Sequence, residues 1–226
     1  MNFNGHLIDG YCLVLGQLVF WPFVAVAFWK AFQQNKGIES KKITHILPAL
    51  CTGILLAWQL KATLSIGISI HLLGATILTV LFGWPLAVIG LMIVLVATIL
   101  IQEPTQLASW QALGLNGVLM IIIPALVSYG VVRLVFSYLP KNVFIYIFLS
   151  GFANAMLTIG AVGLASTGIL VFASEISSIA LIQQYLPAYL LILFPEAFTT
   201  GAILTMFVVY YPDWVLSFDD KRYLKK

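Results

Sequence analysis

The sequence predicts an all-α integral membrane protein, a bundle of about seven transmembrane helices. Three observations carry this. Hydrophobic residues fill 62% of 226 positions and charged residues only 8%, with a mean hydropathy of +1.05, more apolar surface than a soluble domain of this length can hide. The apolar residues form continuous runs, several near the roughly 20 residues that cross a bilayer as a helix. A transmembrane β-barrel would instead alternate in segments of about ten residues. Basic residues, finally, gather at alternate connections between the runs.

The first run, 11–32, has no basic stretch before it and no small-residue cleavage site, so it is expected to be a span rather than a cleaved leader. Span two is expected over 43–60 and span three over 70–82. Gly83-Trp84-Pro85 reads as a tight turn into span four, 86–101. The polar stretch QEPTQLASWQ leads to span five, 113–136. Span six, 143–172, is long enough to tilt or break near its glycines, and ASEISSIALIQQ connects it to span seven, 185–211. The whole reads as one transmembrane domain: 1–10 an outer N-terminal segment, 11–211 the helical bundle, and 212–226 a cytoplasmic tail containing DDKRYLKK.

With seven spans, Lys30, Lys36, Lys41, Lys42, Arg133, Lys141, Lys221, Arg222, Lys225 and Lys226 fall on one face, and only Lys61 on the other. The positive-inside rule makes that face cytoplasmic, with the N-terminus outside and the C-terminus cytoplasmic. The net charge of +3 belongs to these lysines and arginines and does not indicate nucleic-acid binding.

Several chemistries are excluded. The chain has no GxxxxGK[ST] loop for ATP, no HExxH, no GxSxG and no Cys-x-x-Cys, and no convincing set of acid, base and nucleophile, so it is not expected to be an enzyme. Any ATP-driven step needs another chain. Cys12 and Cys51 make no disulfide framework and read as small residues within spans.

Ionisable groups inside a bundle are costly and point to function. Four stand in or near the membrane: His6, Asp9, His71 and Glu196, joined by the amides Asn116 and Asn154. His6 and Asp9, in NGHLIDGYC, are three apart, and Cys12 is three further on. Asp9 suits either a helix cap or a metal ligand. His71 suits either a hydrogen bond to a nearby carbonyl or a metal such as nickel, cobalt, zinc or copper. His6, His71 and Asn116 are all expected at one outward-facing level. Glu196 follows Pro195, which frees a carbonyl one turn earlier. It is either a structural carboxyl bonded to Thr199 or Thr200, or a gating group. Gly160, Gly163 and Gly168 permit close helix packing or a docking surface for a partner.

HLLGATILTVLFGWPLAVIGLMIVLVATILI followed by ALGLNGVLM resembles the core of the CbiM/NikM permeases, the substrate-binding membrane subunits of energy-coupling factor (ECF) transporters for cobalt and nickel. The early HLIDGY and the late LFPEAFTTGAILTMFVVY are similar to that family's first and last elements, in the same order along nearly the whole chain. The resemblance implies a transition-metal ion as cargo, with no tightly bound cofactor. It implies His6 and His71 as metal ligands, with Asp9 as a ligand or orienting group. Asn116 would orient a histidine or a bound water, and Cys12 would lie beside the site. It also implies ATPase subunits and a coupling transmembrane subunit as partners, in the lipid of a bacterial cytoplasmic (inner) membrane. The family's histidine is its second residue and here it is the sixth, so the amine of Met1 is not expected to share chelate rings with His6. The alternatives are the same fold carrying an organic cofactor precursor, and a membrane scaffold or accessory factor outside transport.

Overall fold

The computed structural model describes residues 3, 5, 8–34, 45–102, 104–219 and 223. Among them, eight helices and one short hairpin follow the apolar pattern. They are α1 (Gly10–Gln34), α2 (Leu47–Gln59), β1 (Ala62–Thr63), β2 (Ser69–Ile70), α3 (Ala75–Phe82), α4 (Trp84–Gln102), α5 (Leu107–Gln111), α6 (Leu113–Tyr138), α7 (Val143–Ala173) and α8 (Leu181–Tyr210). Helices α1, α4, α6, α7 and α8, five in all, are long and apolar enough to cross a membrane. Each of the last three contains a π-helical turn, at Val118–Ile122, Ile147–Ala153 and Leu181–Tyr185.

Spans two and three are shorter than the sequence suggests. Helix α2 has 13 residues and α3 only 8. At 1.5 Å per residue α3 is about 12 Å long, well short of a roughly 30 Å hydrocarbon core. The lost length is the stretch before it. The antiparallel pair of β1 and β2 sets Ala62 against Ile70 and Thr63 against Ser69. Residues 71–74 then run inward as buried non-helical backbone. Gly83, with φ 79°, alone separates α3 from α4, and Pro85 lies inside α4's first turn rather than in a turn of its own.

Packing follows the small residues. A Cβ on Gly114 would sit 2.5 Å from the Gln17 backbone, so α1 and α6 touch main chain to main chain. Asn154 donates to Ser128 Oγ at 3.0 Å, tying α7 to α6. Tyr189 donates to the Ile159 carbonyl at 2.6 Å, and its ring lies over Gly163, tying α8 to α7. Gly160 and Gly168 meet nothing within 4 Å, so they do not serve this packing. Exposed Leu18, Phe32, Leu191 and Phe194 give α1 and α8 apolar outer faces suited to lipid.

The bundle has two distinct ends. One gathers the start of α1, the hairpin, α5, and the last residues of α4 and α7: Gln102 donates to Gln59 at 2.9 Å, and the Asp9 amide donates to the Ala173 carbonyl at 2.9 Å. Lys61 is here, bonded to Gln102. The other end holds Lys30, Arg133, the Gly83 junction and a strap from the C-terminal segment. The tail is therefore not a free polar extension. The Leu216 amide donates to Leu81 O at 3.0 Å and Ser217 Oγ donates to Val80 O at 2.8 Å, satisfying carbonyls that the end of α3 leaves open.

Candidate metal-binding end

The segment His71-Leu72-Leu73-Gly74 is the structural centre of this end. Non-helical backbone at membrane depth survives only where protein satisfies its polar groups. Here two side chains from different helices do so. Glu196 of α8 accepts from the Leu73 amide through Oε2 at 2.7 Å and from the Gly74 amide through Oε1 at 2.9 Å. Trp58 of α2 donates its indole N–H to the Leu73 carbonyl at 3.2 Å. Glu196 is 2% exposed and Trp58 1%. The carboxyl group thus caps the N-terminal end of α3, whose first amides have no partner within the helix.

Gly74 is required twice over. Its φ of 67° lies in the left-handed region, and a Cβ there would come within 2.8 Å of Ile54 Cγ1. A glycine therefore stands three positions after His71. The chain must turn sharply from extended backbone into α3 while pressed against α2.

His71 is buried at the head of this segment. Its ring packs against Trp58 with centroids 4.9 Å apart, and Nδ1 lies 2.9 Å from the Leu72 carbonyl. A carbonyl only accepts, so Nδ1 carries the proton and the neutral ring keeps its lone pair on Nε2, the form in which imidazole binds metals.

Asn116 is 1% exposed at the start of α6. It grips the backbone of Phe3: Oδ1 accepts from the Phe3 amide at 2.9 Å and Nδ2 donates to the Phe3 carbonyl at 3.0 Å. The N-terminal segment is pinned at further points. Phe3 and Ile8 are buried, a Cβ on Gly5 would sit 2.5 Å from Ala108 O, and Asp9 bonds Ala173.

The sequence-selected residues thus divide. Asn116 joins the N-terminal segment to α6 through the backbone of Phe3, because its amide matches the donor and acceptor of one peptide unit. Glu196 bonds the His71 segment rather than Thr199 or Thr200, because two open amides are better donors to a buried carboxylate than hydroxyls that can use their own helix. Asp9 is exposed, its carbonyl accepting from the Cys12 and Leu13 amides, and Cys12 is half-buried without a disulfide. His6 lies outside the described residues. Among the described residues, no three His, Cys, Asp or Glu side chains gather as a metal set. Sequence reasoning missed Trp58. An aromatic at the end of an apolar run reads as a membrane-boundary residue, and nothing in its spacing reveals a bond to Leu73.

The chain matches the crystal structure of a truncated transition metal transporter with TM-score 0.72, at 20% identity, over 93% of this chain and 99% of that one. It matches a second crystal structure of a transition metal transporter with TM-score 0.68, at 22% identity, over 94% and 92%. At these identities the likeness establishes the fold. No curated protein matches the chain. The family model CbiM, cobalt uptake substrate-specific transmembrane region, matches residues 4–214. The chain therefore belongs to the CbiM family: it is a multi-pass transmembrane component of cobalt or transition-metal uptake, a transporter and not an enzyme.

Proposed function

We propose that this chain is the substrate-binding membrane subunit of an energy-coupling factor-type importer in a bacterial cytoplasmic membrane. It takes a transition-metal ion, nickel or cobalt or one of similar preference, at the outer mouth of the bundle, with the N-terminus outside and the C-terminus cytoplasmic. His6 and His71 are the ligands of this reading, with Asp9 as a further ligand or orienting carboxylate and Cys12 at the rim. Separate ATPase subunits and a coupling transmembrane subunit drive release inward.

The observation that carries it is the pinning of the N-terminal segment. Phe3 on Asn116 and Asp9 on Ala173 hold both flanks of His6 at the same end of the bundle as His71. Described residues on both sides of His6 at the end that holds a buried imidazole support reading this end as a metal site. Imidazole ligands suit nickel, cobalt, copper and zinc, and the shell is completed by His6, by Asp9 or by water. The absence of an ATP-binding loop fits a subunit that borrows its energy.

Elemental analysis by mass spectrometry of the detergent-purified protein tests this, with wild type beside His6→Ala and His71→Ala. Near-stoichiometric metal in wild type, lost in both variants while each still elutes as a folded monodisperse species, is the expected result. Full occupancy in His71→Ala would refute the ligand assignment. No metal after incubation with each ion would move the reading to an organic cargo or a scaffold.

A further inference from the structure

Helices α1 and α6 each contain one charged residue, Lys30 and Arg133. The fold brings these two to a single recess at the end of the bundle away from His71. Arg133 lines a cavity of about 400 Å³ between the end of α3, α6 and the C-terminal strap. Lys30 lines an adjoining cavity of about 480 Å³ with Trp84. Gly83, Tyr129 and Leu216 wall both.

The recess is rich in hydrogen-bond donors without acceptors. Among the described residues, the Arg133 guanidinium, the Tyr129 hydroxyl and the Trp84 indole N–H have no hydrogen-bond partner, and the Lys30 ammonium touches only the Trp29 ring, 5.0 Å from its centroid. Asp219 also lines the Arg133 cavity. Thr79, Ser217 and Gln33 add polar groups to the lining, and Val80, Val132 and Phe136 give it an apolar side leading out to the exposed face of α6.

We propose that this recess binds the headgroup of an anionic phospholipid, of the phosphatidylglycerol class, with its acyl chains along the apolar face of α6. A phosphodiester offers acceptor oxygens to four donors gathered at one level, and guanidinium pairs with phosphate through two parallel bonds. The recess sits at the helix ends, the level of lipid headgroups, where basic pockets between helices select anionic lipids. A soluble anion would use the donors and leave the apolar walls wet.

Native mass spectrometry of the full chain in detergent, titrated with phosphatidylglycerol or phosphatidylcholine, tests the site. Wild type is expected to retain phosphatidylglycerol in preference, and Arg133→Gln and Lys30→Gln each to weaken that retention roughly fivefold. Lys61→Gln, the same charge change at the other end, leaves retention intact, and Arg133→Lys keeps part of it. Monodisperse elution and retained metal show that each variant is folded. Equal retention of both lipids would overturn the proposal and leave the recess to a protein partner. Equal loss in Lys61→Gln would reduce it to general charge attraction, and displacement by excess inorganic phosphate would reassign it to a soluble anion.

Discussion

Glu196 and Leu73, 123 positions apart in sequence, are joined by a buried 2.7 Å hydrogen bond from the Leu73 amide to the Glu196 carboxylate. The second carboxylate oxygen takes the Gly74 amide. One side chain of α8 therefore holds the segment that presents His71, and the helix that carries Pro195 is linked through it to the proposed metal site.

Removing that link exposes what it supplies. Glu196→Ala leaves the buried Leu73 amide without its acceptor, at about 1–3 kcal/mol, and the half-buried Gly74 amide at less. Glu196→Gln keeps one carbonyl acceptor and turns an amide group against the other N–H, so it is expected to fall between wild type and alanine. Thermal unfolding of the detergent-solubilised variants measures the order. An alanine variant as stable as wild type would mean the segment finds other partners.

Gly74→Ala combines two costs. Left-handed backbone disfavours a side chain by about 1–2 kcal/mol, and the new methyl meets Ile54 at 2.8 Å. Ile54→Ala in the same chain removes the obstructing atoms but not the backbone cost. The double variant is expected to recover only part of the stability relative to the sum of the two single changes. Full additivity in melting measurements would show that Ile54 is not the obstruction.

How much of this was legible in the sequence depends on range. Apolar runs named the spanning helices to within a few residues, because bilayer thickness demands a long apolar run of every such helix. They overran at 70–74 because Ile70, Leu72 and Leu73 are as apolar as helix residues, and a run has no period that distinguishes buried extended backbone from helix. Glu196 stood out by its charge, and His71 and Asn116 by their polarity. Their partners did not, since Leu73, Gly74 and Phe3 contribute only backbone groups, which every residue possesses. The strap on α3 was hidden for the same reason: Ser217 and Leu216 meet Val80 and Leu81 through carbonyls.

Asn116→Ala releases the backbone of Phe3 from both of its bonds. The helices keep their packing, so the melting temperature of the bundle is expected to move little, while the N-terminal segment loosens. If that segment carries a ligand, metal affinity should fall about 10- to 100-fold, the usual effect of removing an orienting group. Asn116→Asp keeps the acceptor for the Phe3 amide and loses the donor, and should fall less than alanine. Isothermal titration with nickel and cobalt, beside limited proteolysis of residues 1–9, reads both effects. Unchanged affinity with a protease-sensitive segment would show that this segment holds no ligand.

The C-terminal strap makes a last prediction at the opposite end. Tyr146, 1% exposed, donates to or accepts from Ser217 Oγ at 2.6 Å, and its ring packs on Phe218 and Tyr223 with centroids 4.9 and 5.1 Å away. Ser217→Ala strands the Tyr146 hydroxyl and the Val80 carbonyl, a loss of about 1–3 kcal/mol. Ending the chain at Tyr211 removes those bonds, the Leu216–Leu81 bond and both aromatic partners, so it should destabilise the bundle more than the point substitution. Metal retention in the molecules that remain folded should be unchanged, because the strap and His71 lie at opposite ends. Thermal unfolding and elemental analysis on the same samples separate the two effects. A truncated chain that melts with wild type would show that the strap adds nothing to the fold. Lost metal in a truncated chain that stays folded would mean instead that the two ends are coupled through α3, which runs from Gly74 at the clamp to the carbonyls that the strap caps.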